Sequence, residues 1–180
     1  MSKTVSEIMG EITSITTSER IARVRKANKK RTLYLAYGSN LNVQQMASRC
    51  PTAQKIGSSL LPNYRLTFVG GFCSAVANIE RKKGSGVPVG LWSITKADEA
   101  SLDRYEGYPT FYHKEYHFIQ LNGKKRLAMV YVMNRPVPYG TPSAPYYNTI
   151  WKGYEDFCLD QTVLKVALEE GSCLERRTDE

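Results

Sequence analysis

Two short stretches of this 180-residue chain combine residue types and spacings that could do chemistry. The first is Tyr37-Gly38-Ser39-Asn40-Leu41, where a β-rich run turns through glycine straight into a helical pattern. Such a turn leaves the N–H groups of Gly38, Ser39 and Asn40 without partners and aimed at one spot. With a helix N-terminus behind them, they favour a carboxylate, a phosphate or a developing oxyanion. The same residues also suit a plain tight turn with Asn40 as a helix cap. Ser39 lacks the second glycine of a G-x-S-x-G elbow, which argues against a serine hydrolase.

The second stretch runs from Leu102 through Glu106 to Tyr112. Glu106 falls at the end of a predicted helix, with Gly107 placed to adopt the left-handed capping conformation. The negative end of the helix dipole and burial among Tyr105, Tyr108 and Phe111 would both push the carboxyl pKa upward. That is the direction a general acid/base working near neutral pH requires. A lone helix-terminal glutamate also fits a solvated surface position. His113 and His117, the only histidines, sit four apart on a predicted strand with no third ligand, so they read as strand-surface residues rather than a metal site. Among the 12 tyrosines, Tyr146 and Tyr147 follow a proline-rich loop, where their hydroxyls orient a polar substrate or fill the core edge.

The elements that must position these residues are legible from pattern. Arg31 to Tyr37 reads as a buried first strand, and Asn40 caps a helix from Leu41 to Arg49 that Pro51 stops. Strands are expected at Tyr64 to Val69 and Ser74 to Glu80, about Gly70-Gly71. A flexible turn follows at Lys82 to Gly86, and then a strand at Val87 to Ile94. Thr95 with Asp98 resembles a capping box opening a helix that runs to about Tyr105. Asn122-Gly123 predicts a hairpin between Tyr112–Leu121 and Lys125–Met133. Two further helices are expected near Tyr146 to Phe157 and Gln161 to Glu170, the second ended by Gly171. Strands and helices interleave irregularly, giving an α+β domain on a small, curved, mixed sheet or barrel with flanking helices.

Composition bounds the class. Hydrophobic residues at 42% and charged residues at 23% describe a globular protein, and no apolar run approaches the roughly 20 residues that span a bilayer. The N-terminal residues do not read as a secretory signal, and Cys50, Cys73, Cys158 and Cys173 show no zinc or redox spacing. Reduced, half-buried, inert thiols in a cytoplasmic protein are the expectation. The formal net charge is +8, of which residues 1–31 carry +5 and the rest only +3. The chain thus divides into a basic extension over 1–31, a domain over 32–172 and a polar tail over 173–180. In the extension Val5, Ile8, Met9, Ile12 and Ile15 follow helical spacing, which suits a partly helical segment that packs loosely or pairs subunits in a homodimer. The basic stretch over 20–31 could contact nucleic acid, although it lacks aromatic residues for base stacking.

Together these stretches resemble the γ-glutamylcyclotransferase-like (AIG2-like) family. The resemblance is carried by Tyr37 to Leu41 with Met46 and Arg49-Cys50-Pro51, Tyr64-Arg65-Leu66, Gly90-Leu91-Trp92, and Leu102-Asp103 with Glu106-Gly107 and Tyr112. Tyr131-Val132 and Tyr146 to Gly153 complete the order, so that it covers about Thr32 to Leu168. It implies a small α+β barrel with a cavity at one end, needing no metal or organic cofactor. It also implies an enzyme that converts γ-glutamyl compounds to 5-oxoproline with release of an amino acid, peptide or amine. Residue by residue, Glu106 matches the acid/base, and Tyr37, Gly38, Ser39, Asn40 and Leu41 match the loop that receives the substrate. Tyr112 and Tyr146 match pocket tyrosines. Two competing readings keep the fold without catalysis: a binding protein for another small ligand, and a scaffold whose basic extension contacts nucleic acid or a protein partner.

Overall fold

A computed structural model describes residues 31–134 and 136–178, with side chains described through residue 173. Apart from Arg31, the expectations for the basic extension lie outside these residues.

Five strands form one mixed sheet in the order β2-β3-β1-β5-β4. β1 (Thr32–Ala36) suits the central place because its consecutive residues Leu35 and Ala36, which point to opposite faces, are both wholly buried. It runs antiparallel to β3 (Val76–Ile94) and parallel to β5 (Lys124–Met133). β2 (Gln54–Val69) and β4 (Tyr112–Leu121) are the edges. The sheet curls until these edges approach through side chains: Ser59 Oγ donates to Gln120 O at 3.0 Å, and the Tyr64 hydroxyl to Glu115 Oε2 at 2.6 Å. No ladder joins them, so the sheet is curved and unclosed rather than a barrel.

The β2–β3 pair departs from the sequence expectation. β2 begins ten residues earlier than expected, and β3 is continuous across the predicted turn. The turn survives as a bulge: pairing passes from Pro62↔Gly86 to Tyr64↔Arg81, so Lys82–Ser85 lie opposite Asn63 alone. Gly84, at φ 81°, donates its N–H to Asn63 Oδ1 at 3.2 Å. Local turn chemistry was read correctly, but sheet pairing on both sides absorbed it. The hairpin at Asn122-Gly123 forms as expected, with both residues at positive φ.

Four helices flank the sheet among the described residues. A 3₁₀ turn at Ser39–Leu41 precedes α1 (Val43–Arg49), whose cap is Asn42, accepting from Gln45 N at 3.0 Å. Asn40 is therefore not the cap, and its side chain is free for other work. α2 (Lys96–Glu106) opens with the capping box of Thr95 and Asp98 and closes on Gly107 at φ 64°. Burial raises the Asp98 pKa, but hydrogen bonds from Thr52 and Thr95 outweigh it and hold the carboxyl below its ordinary value. α3 spans Ala144–Asp156 and α4 spans Thr162–Thr178. Gly171 does not end α4. It sits inside the helix, because a Cβ there would lie 2.8 Å from Gly140 O.

A second glycine governs the site directly. Gly153 lets α3 pass so close to the 3₁₀ turn that a Cβ would meet Asn42 N at 2.7 Å and Leu41 C at 2.8 Å. These are backbone atoms, which no rotamer change relieves. Gly153→Ala is expected to destabilise the fold by about 1–3 kcal/mol, read as a fall in denaturant midpoint at unchanged slope. Unaltered stability would mean that α3 can shift without strain.

Candidate active site

The residues that the sequence singles out converge on a cavity of about 980 Å³. Tyr37, Gly38, Ser39 and Asn40 enter it from the end of β1, Glu106 from the end of α2, Tyr112 from β4 and Tyr146 from α3. Leu41 does not belong to the lining. It is fully buried and packs between Gly90 and Gly153, because the 3₁₀ turn rotates it inward as an anchor. The N–H groups of Gly38, Ser39 and Asn40 have no protein hydrogen-bond partner among the described residues, whereas Leu41 N donates to Gly38 O at 2.9 Å.

Glu106 lines the cavity as a partly exposed residue whose carboxyl is largely enclosed. Its Oε1 accepts from Asn40 Nδ2 at 2.8 Å. Burial pushes its pKa up to about 7, against the opposing pull of the Arg49 charge and the Asn40 hydrogen bond. The aromatic surroundings differ from the sequence expectation. Tyr105, Tyr108 and Phe111 are themselves 48%, 41% and 68% exposed, although Tyr105 and Phe111 line the cavity. Tyr34, Tyr37 and Tyr131, brought in from β1 and β5, are the buried rings that share the cavity with it. Helix-end position was readable in sequence, but neighbours supplied by distant strands were not.

Asn40 is the hub. Its Nδ2 serves both Glu106 and the Tyr34 hydroxyl, at 2.8 and 2.9 Å, while its Oδ1 accepts from Arg49 Nη1 at 2.7 Å. Its carbonyl accepts from Trp92 Nε1 at 3.0 Å. Both Nδ2 hydrogens and the Oδ1 of this 3%-exposed side chain are engaged, which fixes its orientation. Arg49 stacks its guanidinium 3.8 Å from the centre of the Tyr105 ring and reaches Ser39 Oγ at 3.3 Å. Ser39 Oγ lies 3.2 Å from the Tyr105 hydroxyl and contacts no histidine or carboxylate in the described structure.

The tyrosines form a neutral lining. The Tyr37 hydroxyl donates to Tyr131 O at 2.9 Å, and the Tyr131 hydroxyl donates to Asp103. The Tyr146 hydroxyl accepts from Ala77 N at 3.1 Å beside Gly38, while Tyr147 packs toward Phe68 and Trp151. Tyr146, not Tyr147, is the cavity residue. Burial raises the pKa of Tyr34, Tyr37, Tyr112, Tyr131 and Tyr146, the last to about 12. All five thus stay protonated at neutral pH. Among the described residues, Glu106 is the one carboxylate lining the cavity.

The histidines stand elsewhere, as strand-surface residues. His113 Nε2 and His117 Nε2 flank Glu115 at 3.3 and 2.7 Å, and burial of Glu115 is outweighed by hydrogen bonds that hold its pKa down. Among the described residues no cluster of His, Cys, Asp and Glu has the geometry to hold a metal ion. All four cysteines are free. Cys50 is buried and its thiol is pushed up to about 11 by burial, but Cys73, Cys158 and Cys173 are exposed, contrary to the half-buried expectation. No described helix is long and apolar enough to cross a membrane.

Comparison with known proteins bears on this geometry. A family model described as "Gamma-glutamyl cyclotransferase, AIG2-like" matches residues 34–152. An uncharacterized human protein of solved structure is 25% identical, with a TM-score of 0.67 over 77% of this chain and 86% of its own. A structure described as gamma-glutamyl cyclotransferase is similar at 24% identity and the same TM-score, again over 77% and 86% of the two chains. An AIG2-like protein from mouse is similar at 18% identity and TM-score 0.52, over 61% of this chain and 81% of its own. The latter two likenesses speak for the fold alone. No match is found among curated proteins.

Proposed function

Since the chain belongs to the gamma-glutamyl cyclotransferase, AIG2-like family, we propose that its cavity cyclises γ-glutamyl compounds to 5-oxoproline and releases the amine. The observation that carries the reading is one carboxylate, its pKa raised by burial to about 7 and its Oε1 held by Asn40, in a cavity where tyrosine hydroxyls and the backbone amides of Gly38 to Asn40 are also at hand.

The substrate supplies its own nucleophile. Ionised Glu106 takes a proton from the substrate α-ammonium, and the freed amine attacks the γ-carbonyl to close a five-membered ring. The carbonyl oxygen gains negative charge as the carbon becomes tetrahedral, and the open amides at Gly38 to Asn40 are the donors at hand for that oxygen or for the α-carboxylate. The γ-amide C–N bond then breaks as protonated Glu106 returns its proton to the departing nitrogen. The carboxylate so restored takes the second proton from the ring nitrogen and passes it to the released amine, which leaves as an ammonium. A group with pKa near the working pH serves these transfers. Folding the glutamyl chain back on itself is the remaining requirement, and holding one end of it supplies the proximity. The tyrosine hydroxyls of Tyr37, Tyr112 and Tyr146 stay neutral throughout and serve to orient the polar glutamyl end.

Incubation with a panel of γ-glutamyl dipeptides, γ-glutamylamines and glutathione, followed by mass spectrometry for 5-oxoproline, tests the proposal. Product from at least one class is the expected result. A protein that binds members of the panel but forms no 5-oxoproline from any of them is a binding protein on this fold.

A further inference from the structure

We propose that the wall formed by Val76, Phe111, Met133 and Val137 is a subsite for the leaving amine, selecting γ-glutamyl compounds whose released portion carries a sizeable apolar side chain. The inference rests on the cyclotransferase reading and adds which member of the substrate class the cavity takes.

The cavity has two kinds of wall. Gly38, Ser39, Asn40 and Glu106, with the hydroxyls of Tyr37, Tyr112 and Tyr146, supply polar groups that suffice for a glutamyl end. An apolar part of the lining is drawn from other elements: the start of β3, the approach to β4, the end of β5 and the loop after it. At those places the sequence puts Val76, Phe111, Met133 and Val137, four apolar side chains with no hydrogen-bonding role to play. A cavity near 980 Å³ is at the upper end of the ~300–1,000 Å³ found for small-ligand sites. A five-carbon acyl group leaves much of that space to its leaving group.

Phe111 is the most telling of the four. It is a large apolar residue left 68% exposed, yet its backbone is pinned on both sides. Its N–H donates to Gly107 O at 2.9 Å, and its carbonyl accepts from Asn134 N at 2.9 Å. Its ring covers Gly107 so closely that a Cβ there would lie 2.6 Å from Phe111 Cδ2. The ring thus lies over Gly107, the residue that follows Glu106, and lines the same cavity as that carboxylate. An exposed aromatic on a backbone held at both ends, in the cavity lining, is a surface for a ligand to cover.

Charge points the same way. The charged residues of the described lining are Glu106 and Arg104. Glu106 is engaged in the proton transfers, and no second carboxylate is present in that lining to receive an ammonium. A polyamine leaving group would meet only the Arg104 cation, whereas the carboxylate of a released amino acid is compatible with it. The favoured substrates are thus γ-glutamyl amino acids with apolar side chains, such as leucine or phenylalanine.

The test compares kcat/KM of the full chain for γ-glutamylleucine, γ-glutamylphenylalanine, γ-glutamylglycine and γ-glutamylputrescine, following 5-oxoproline. A preference of about 10- to 100-fold for the leucine and phenylalanine compounds over the glycine compound is expected. Phe111→Ala is expected to shrink that ratio about tenfold, and Phe111→Leu to restore most of it. Equal kcat/KM across the side chains, a ratio that Phe111→Ala does not move, or a preference for the putrescine compound overturns the subsite while leaving the cyclotransferase reading intact. Formation of no 5-oxoproline from any of the four, or from the wider panel, overturns that reading and the subsite with it.

Discussion

Glu106→Gln is expected to lower turnover of γ-glutamyl substrates by about 10²- to 10⁴-fold, the usual contribution of a general acid/base. Substrate binding should change little, because glutamine keeps the size of the side chain and its Oε1 can still accept from Asn40 Nδ2. Stability should move the other way. The Glu106 pKa is raised to about 7 from an ordinary 4.5, so the folded state holds a proton between those values that the unfolded chain has lost. Stability from this group is complete below pH 4.5, falls as pH rises through 7, and stays lost above it. At pH 8 the ionised, buried carboxylate therefore costs on the order of 2–3 kcal/mol, which the neutral amide avoids. Thermal unfolding at pH 8 should show Glu106→Gln more stable than the parent, with the gap closing toward pH 4.

Asp103→Asn is the control. Asp103 faces Lys114 at 2.7 Å and the Tyr131 hydroxyl rather than the cavity, so the variant should lose stability but keep most activity. A dead Asp103→Asn beside a normal Glu106→Gln would transfer the proton-handling role to Asp103. A Glu106→Gln that is inactive but no more stable at pH 8 would mean the carboxylate is better solvated than its position among Tyr34, Tyr37 and Tyr131 indicates.

The sequence made some of this legible because the signals were local. Thr95 with Asp98, Gly107 and Asn122-Gly123 each specify backbone geometry within a few residues, and all three form as expected. The place of Glu106 at a helix end was legible because a helix end is itself a local feature. What escaped were relations between distant segments. Asn40 looked like a cap, yet Asn42 took that role once the turn tightened to 3₁₀, and Asn40 was released to hold Glu106, 66 residues away. Leu41 looked like part of the receiving loop, but α3 crossing at Gly153 turned it into core. The long β2–β3 pair hid behind Lys82–Gly86, whose composition describes a turn whether or not strands continue on either side. Gly171 reads as a helix terminator in isolation and is a contact point only because Gly140 passes against it. Tyr34 and Tyr131 carried no local mark at all, since it is sheet order that places β5 beside β1.

Arg49 is the residue whose effect on the reaction pH should be largest without touching substrate. It does not line the cavity, but its guanidinium holds Asn40 Oδ1 at 2.7 Å, and Asn40 in turn holds Glu106. Its charge also pulls the Glu106 pKa down against the burial that raises it. Ionised Glu106 is the proton acceptor, so kcat/KM should rise with pH through an acid limb near 7 in the parent protein. Arg49→Met removes the opposing charge and frees Asn40 to reorient. Both changes favour the protonated carboxyl, so the limb should move upward by about one unit or more. At pH 7 the variant would then be about fivefold or more slower, and raising the pH to 9 should recover most of the loss. Arg49→Lys keeps a charge but not the planar fork that spans Asn40, Ser39 and the Tyr105 face, so its limb should fall between the two. A loss of activity that is uniform across pH would make Arg49 a purely structural prop of the loop, and a limb that does not move would remove it from the control of Glu106.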